Sequence, residues 1–173
     1  MKILNIHGYM GSSENSACSV LRKMGCDVVS PQIDYDSMSP ENILGMLSRQ
    51  ISGNNINYIV GTSLGGFFGL LLSGKFSIPA VLINPCLMPF LTLSRMDFKG
   101  DIRSYVRLFA ETAGTDISIT STIIGGNDDV IDYHDFTEKL LGNERFCIIP
   151  DGKHSGATLP LESYFGSIFK DRM

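Results

Sequence analysis

The stretch Tyr58-Ile59-Val60-Gly61-Thr62-Ser63-Leu64-Gly65-Gly66-Phe67-Phe68-Gly69-Leu70 joins an apolar β-type run, a glycine-flanked serine and a helix-forming run without a spacer. Gly61-x-Ser63-x-Gly65 has the form of a nucleophile elbow, a sharp strand-to-helix turn that lifts a serine hydroxyl above the end of a sheet. Such a turn strains the serine backbone, and a Cβ at either flanking glycine would collide with the neighbouring strand or helix. A plain Gly/Ser turn has the same composition. The flanks decide between them: β-branched and aromatic residues precede the serine, and Phe67, Phe68, Leu70, Leu71 and Leu72 follow it.

Outward from this stretch, the same alternation of strand and helix repeats. Residues 2–6 predict a buried strand, followed by the small-residue loop His7 to Ser13 and a helix from about Glu14 to Met24, capped by Ser12 or Ser13. Residues 26–30 predict a second strand. Ser39-Pro40-Glu41-Asn42 supplies an N-cap and an N1 proline for a helix through about Ile51. Strand-like runs at 56–62, 78–83, 117–124 and 145–149 follow, with helices expected over 64–73, 133–141 and 161–169. Residues 86–115 break the rhythm with Pro89 and a helix expected over 102–111, and are expected to be a cap-like or pocket-lining insertion. Near-continuous apolar strands alternating with helices predict a single α/β domain over residues 1–173, with a mainly parallel sheet of about six strands and helices on both faces.

Composition narrows the function. The 173 residues fit one domain with its own core. With 14 Lys and Arg against 18 Asp and Glu, a net charge of −4 and no basic block, a nucleic-acid partner is not expected. The four cysteines lack C-x-x-C spacing and read as buried free thiols. No apolar signal-type segment opens the chain, and the run Phe67 to Leu72 is far shorter than the ~18 residues of a membrane span, so a cytoplasmic location without membrane contact is expected. The histidines lack H-x-x-x-H spacing, and the glycine-rich stretches lack both the G-K-[ST] of a P-loop and the G-x-G-x-x-G of a dinucleotide site. Neither a metal nor a cofactor is expected.

In a parallel sheet every strand's C-terminal end lies on one edge, and the loops there carry Tyr9, Ser63, Asp128 and His154. A serine hydroxyl needs a neutral imidazole to take its proton, and a carboxylate on the other ring nitrogen to orient that imidazole. Ser63, His154 and Asp128 are the candidates for these roles, with Asp129 and Asp132 as alternative acids that read better as helix N-terminal charges. The oxyanion would be held by the backbone NH groups of Leu64 and Tyr9, with Met10 in reserve. His7 is expected to shape the loop after the first strand, and His134 to be a surface residue. Tyr9, Met10, Met88 and Phe90 are the candidate substrate-binding residues, with core packing an open alternative for Met88, Phe90 and Met96.

The motifs His7-Gly8-Tyr9-x-Gly11-Ser12-Ser13, Val60 to Phe67, Pro79 to Pro85, Asp128 to Tyr133 and His154-x-Gly156, with Glu162-x-Tyr164-Phe165, resemble the small bacterial YqiA-like esterases of the α/β-hydrolase superfamily. The order serine, acid, histidine is also that of α/β-hydrolases. The resemblance implies a compact α/β-hydrolase fold lacking the first strands of larger members. It also implies Ser63, Asp128 and His154 as catalytic triad, and short-chain esters or thioesters as small-molecule substrates. Leu87 to Thr115 and Lys153 depart from the family pattern. Other chemistries on the same fold (a C–C hydrolase, lactonase or amidase) and a non-catalytic ligand-binding protein are the competing expectations.

Overall fold

Six strands, β1 (Lys2–Ile6), β2 (Asp27–Val29), β3 (Tyr58–Thr62), β4 (Ala80–Ile83), β5 (Thr120–Gly125) and β6 (Phe146–Ile149), form one sheet in the order β2-β1-β3-β4-β5-β6. Every neighbouring pair is parallel. The computed structural model describes residues 1–142 and 145–170. Seven α-helices accompany the sheet among the described residues: α1 (Ser16–Lys23), α2 (Pro40–Asn54), α3 (Leu64–Phe76), α4 (Pro89–Leu93), α5 (Ile102–Phe109), α6 (His134–Leu141) and α7 (Leu161–Phe169). No helix among the described residues is long and apolar enough to cross a membrane.

Side chains alternate across a strand, and that alternation splits the core in two. Ile3, Val60, Val81 and Ile123 point to the face that carries Leu21 of α1 and Phe165 and Phe169 of α7. Leu4, Ile6, Ile59 and Leu82 point to the face that carries α2, α3 and α5. Each fully buried leucine or phenylalanine contributes about 1.5–3 kcal/mol from its removal from water, so both layers are firmly attached.

Local chemistry moves several boundaries from where periodicity puts them. Helix α1 starts later than expected because Asn15, and neither Ser12 nor Ser13, caps it: the Asn15 side chain accepts from the Cys18 amide. The main chain of Ser13 is held elsewhere, by Gln32 and the Ser30 hydroxyl. Helix α3 runs past Ser73 to Phe76, where Ser77 takes a left-handed conformation and the Ser73 hydroxyl donates to the Ile78 carbonyl. Strand β5 begins at Thr120, since the Asp116 side chain accepts from the Ser118 amide and folds Ile117–Ile119 into a 3-10 turn.

Residues 86–115, expected to cap or line the pocket, pack into the core. Leu87, Leu93, Tyr105 and Leu108 are buried, and the Tyr105 ring meets Phe67 and Phe68 of α3. The cause lies in α3, which is apolar all round and buried from Leu64 through Ser73. Such a helix needs cover on its outer side as well as against the sheet, and α5 supplies it.

Candidate active site

The turn from β3 into α3 is set by steric contact. Ser63 has φ 54° and ψ −121°, a conformation costly for a residue with a side chain, about 1–3 kcal/mol. It is held by the Ser63 amide donating to the Ile83 carbonyl, and by the amides of Gly66 and Cys86 donating to the Ser63 carbonyl. A Cβ on Gly61 would lie 2.4 Å from the Gly65 carbonyl oxygen, and one on Gly65 would lie 2.2 Å from that of Ile6. Only glycine fits at either position.

Asp128 and His154 reach the same edge from the ends of β5 and β6. His154 Nε2 is 3.0 Å from Ser63 Oγ, and its Nδ1 is 2.8 Å from Asp128 Oδ2 and 3.0 Å from Oδ1. An ionised carboxylate only accepts, so Nδ1 carries the hydrogen and the Nε2 lone pair faces the serine hydroxyl. Oδ1 of Asp128 also accepts from the amides of Val130 and Ile131. The Asp128 side chain is only 1% exposed. Burial by itself would raise its pKa, but hydrogen bonds from His134, His154 and the Ile131 amide hold it well below the usual carboxylate range. The alternative acids stand apart: Asp129 is exposed, and exposed Asp132 pairs with Arg95.

Two partners of this chain were not legible in the sequence. Asn84, directly after β4, has φ 43° and joins two loops. Its Nδ2 donates to the carbonyls of Lys153 and His154, and its Oδ1 accepts from the Gly125 amide. The signal available was the Asn84-Pro85 pair closing a strand on the reactive edge. His134, expected at the surface, is 13% exposed in its side chain, with Nε2 2.9 Å from Asp128 Oδ2. The tight turn at Asp128, which leaves Val130 exposed and returns Ile131 to the core, brings a residue six positions later against the carboxylate.

The loop after β1 approaches Ser63 closely: a Cβ on Gly8 would lie 2.8 Å from Ser63 Cβ. His7, 1% exposed, shapes this loop, its Nδ1 donating to the Gly8 carbonyl and its Nε2 accepting from the Ile33 amide. Burial lowers the His7 pKa, in keeping with a neutral ring. The Tyr9 hydroxyl donates to Asp36, which anchors the side chain.

Gly8, Tyr9, Glu14, Ser16, His154 and Gly156 help to line a cleft of about 340 Å³ around Ser63. Of the four expected substrate-binding residues only Tyr9 lies there. Met10 is 81% exposed and lines a separate depression; Phe90 packs edge-on against Phe109, and the Met88 carbonyl accepts from the Tyr133 hydroxyl. Met88 and Phe90 lie outside the cleft because the 86–115 segment packs its apolar side into the core through Leu87, Leu93, Tyr105 and Leu108. No group of three or more His, Cys, Asp or Glu among the described residues is arranged to hold a metal ion.

The fold is that of the α/β-hydrolases. The chain superposes on Est1E from Butyrivibrio proteoclasticus with a TM-score of 0.71 at 17% identity, covering 98% of this chain and 87% of that one. A metagenome-derived lipolytic enzyme described with LipS and LipT gives 0.71 at 15% identity over 98% and 93% of the two chains. MGS-MChE2, an α/β hydrolase enzyme from lagoon sediments of Mar Chica, Morocco, gives 0.65 at 20% identity over 99% and 91%. Residues 2–103, which hold Tyr9, Ser63 and Asn84, match the model of uncharacterised protein family UPF0227, the YqiA-like family to which the motifs point, and the chain belongs to that family.

Proposed function

We propose that this protein is a serine hydrolase that cleaves short-chain carboxylic esters or thioesters through an acyl-enzyme on Ser63. One observation carries the reading: the continuous hydrogen-bonded chain from Ser63 Oγ through His154 to Asp128. His154 Nε2 takes the hydroxyl proton as Ser63 attacks the acyl carbon, then returns it to the departing alcohol or thiol. Water, deprotonated by the same nitrogen, releases the acid and restores Ser63. Asp128 stabilises the imidazolium that exists between these transfers. The oxyanion is held by the amide of Leu64, free at the first turn of α3, and by that of Tyr9.

The esterase and lipolytic activities named for the structural neighbours support this reaction class, and the small cleft supports small acyl groups and a small-molecule partner rather than a nucleic acid. A fluorophosphonate probe should label wild type but not Ser63→Ala, and p-nitrophenyl esters should be turned over by wild type and not by Ser63→Ala. Absence of labelling, with trypsin labelled in parallel, would overturn the reading. An acetyl-to-palmitoyl ester series run beside acyl-CoA substrates fixes the chain length and separates ester from thioester.

A further inference from the structure

Asp128 stands between two imidazoles. His154 spans both of its oxygens at 3.0 and 2.8 Å, and His134 holds Oδ2 from the other side at 2.9 Å. With the Val130 and Ile131 amides on Oδ1, the carboxylate's lone pairs are fully engaged. Since the carboxylate only accepts, His134 Nε2 is the donor. His134 thus presents one donor to one carboxylate, and its other nitrogen, Nδ1, is buried with no partner among the described residues.

We propose that His134 is a positioning residue, which fixes the rotation of Asp128 and, by sharing its charge, sets how strongly that carboxylate holds His154. The inference rests on the serine-hydrolase reading for its kinetic consequence, but not for the hydrogen bond itself. Without the His134 donor, Asp128 has one imidazole fewer to satisfy, so its charge acts more fully on His154. The protonated form of His154 is then favoured, and more alkaline conditions are needed to free the base. The carboxylate also gains freedom to rotate, which lowers kcat through misorientation of His154.

The surrounding titratable groups do not supply a competing explanation. The Cys86 thiol and the Tyr133 hydroxyl, which face each other beside the loop, are both pushed up by burial and stay uncharged at neutral pH. Asp129, Asp135, Glu138, Asp151 and Lys153 are exposed, and Asp132 is paired with Arg95 in solvent, where screening is strong.

Two substitutions separate positioning from packing. His134→Phe keeps a ring and removes the donor; His134→Gln keeps an N–H near the place of Nε2. The rate of Ser63 labelling by a fluorophosphonate, measured from pH 5 to 9, should show its acid limb displaced to higher pH in His134→Phe. The ratio of the rate at pH 6 to that at pH 8 should fall about three- to tenfold, and His134→Gln should restore it. In parallel, the proton NMR signal of His154 Nδ1–H should move to lower field in His134→Phe as its bond to Asp128 tightens. An unchanged limb and unchanged signal in folded His134→Phe overturn the proposal, as does equal impairment by Phe and Gln. If wild type is not labelled at all, the hydrolase reading fails, and the NMR signal still decides whether His134 governs the Asp128–His154 bond.

Discussion

Ser63 and Asp128 occupy equivalent places, each just beyond a strand end on the same sheet edge, yet the two residues themselves are held by different physics. The Ser63 turn is a steric lock in which main-chain atoms of Gly61, Gly65 and Ile6 are too close for any side chain. At its base the Asp128 loop is packed as tightly, since a Cβ on Gly125 would lie 2.4 Å from the Gly152 carbonyl oxygen, but the carboxylate itself is held by the amides of Val130 and Ile131 and by two imidazoles, while Asn84 ties the loop to that of His154. Steric locks are indifferent to pH and salt and fail all at once. Hydrogen-bonded loops fail by degrees and respond to protonation.

The largest expected effect breaks the lock. Gly65→Ala puts a methyl 2.2 Å from the Ile6 carbonyl and 2.7 Å from that of His7, both main-chain atoms of β1 and its loop that cannot swing aside. The variant should lose roughly 4 kcal/mol or more, the far end of what single substitutions do, or fail to fold. Urea unfolding followed by circular dichroism measures it. A urea midpoint equal to that of wild type would contradict the steric account.

This difference also explains what was legible in the sequence. Glycine is the residue that a steric lock requires, so Gly61-x-Ser63-x-Gly65 announces the elbow in residue types alone, and the β-α alternation announces the sheet edge that Asp128 and His154 share. Hydrogen-bonded partners carry no such mark. Asn84 and His134 are ordinary polar residues whose roles arise from where β4 ends and how tightly the chain turns at Asp128, and neither can be read from spacing. The pocket was least legible. Met88 and Phe90 look available in the sequence, but their surroundings depend on α5 covering α3, a tertiary choice dictated by residues thirty or so positions away.

A middle-sized effect comes from loosening the second loop without touching its carboxylate. Asn84→Gly keeps the left-handed backbone and removes three hydrogen bonds, leaving the buried Gly125 amide without its acceptor. Stability should fall by about 1–3 kcal/mol. Hydrolysis should fall about 10- to 100-fold because the main chain under His154 is no longer tied to β4. Comparison with Asn84→Ala separates the bonds from backbone strain, since alanine adds about 1–2 kcal/mol for the left-handed conformation. Equal stability and full activity in Asn84→Gly would show that the two loops hold themselves.

The smallest effect concerns pH, and it sharpens the contrast because each side of the site carries one shifted group. His7, under the elbow, is held below its ordinary value of 6.5 by burial, so the unfolded chain binds its proton more readily than the native state does. Its contribution is complete above about pH 6.5 and is lost as the pH falls through the native value. Asp128, in the other loop, also has a depressed native value, and its contribution is complete above its ordinary 3.8 and is lost as the pH falls from there towards the native value. Urea titrations from pH 8 to pH 3 should therefore show stability declining in two stages, the first belonging to His7 and the second to the depressed carboxylates, Asp128 among them. His7→Gln should flatten the first stage relative to wild type and leave the second in place. A first stage of equal slope in the variant would remove His7 as its source, and with it the claim that the hydrogen-bonded loop beside the steric lock carries a proton-sensitive support.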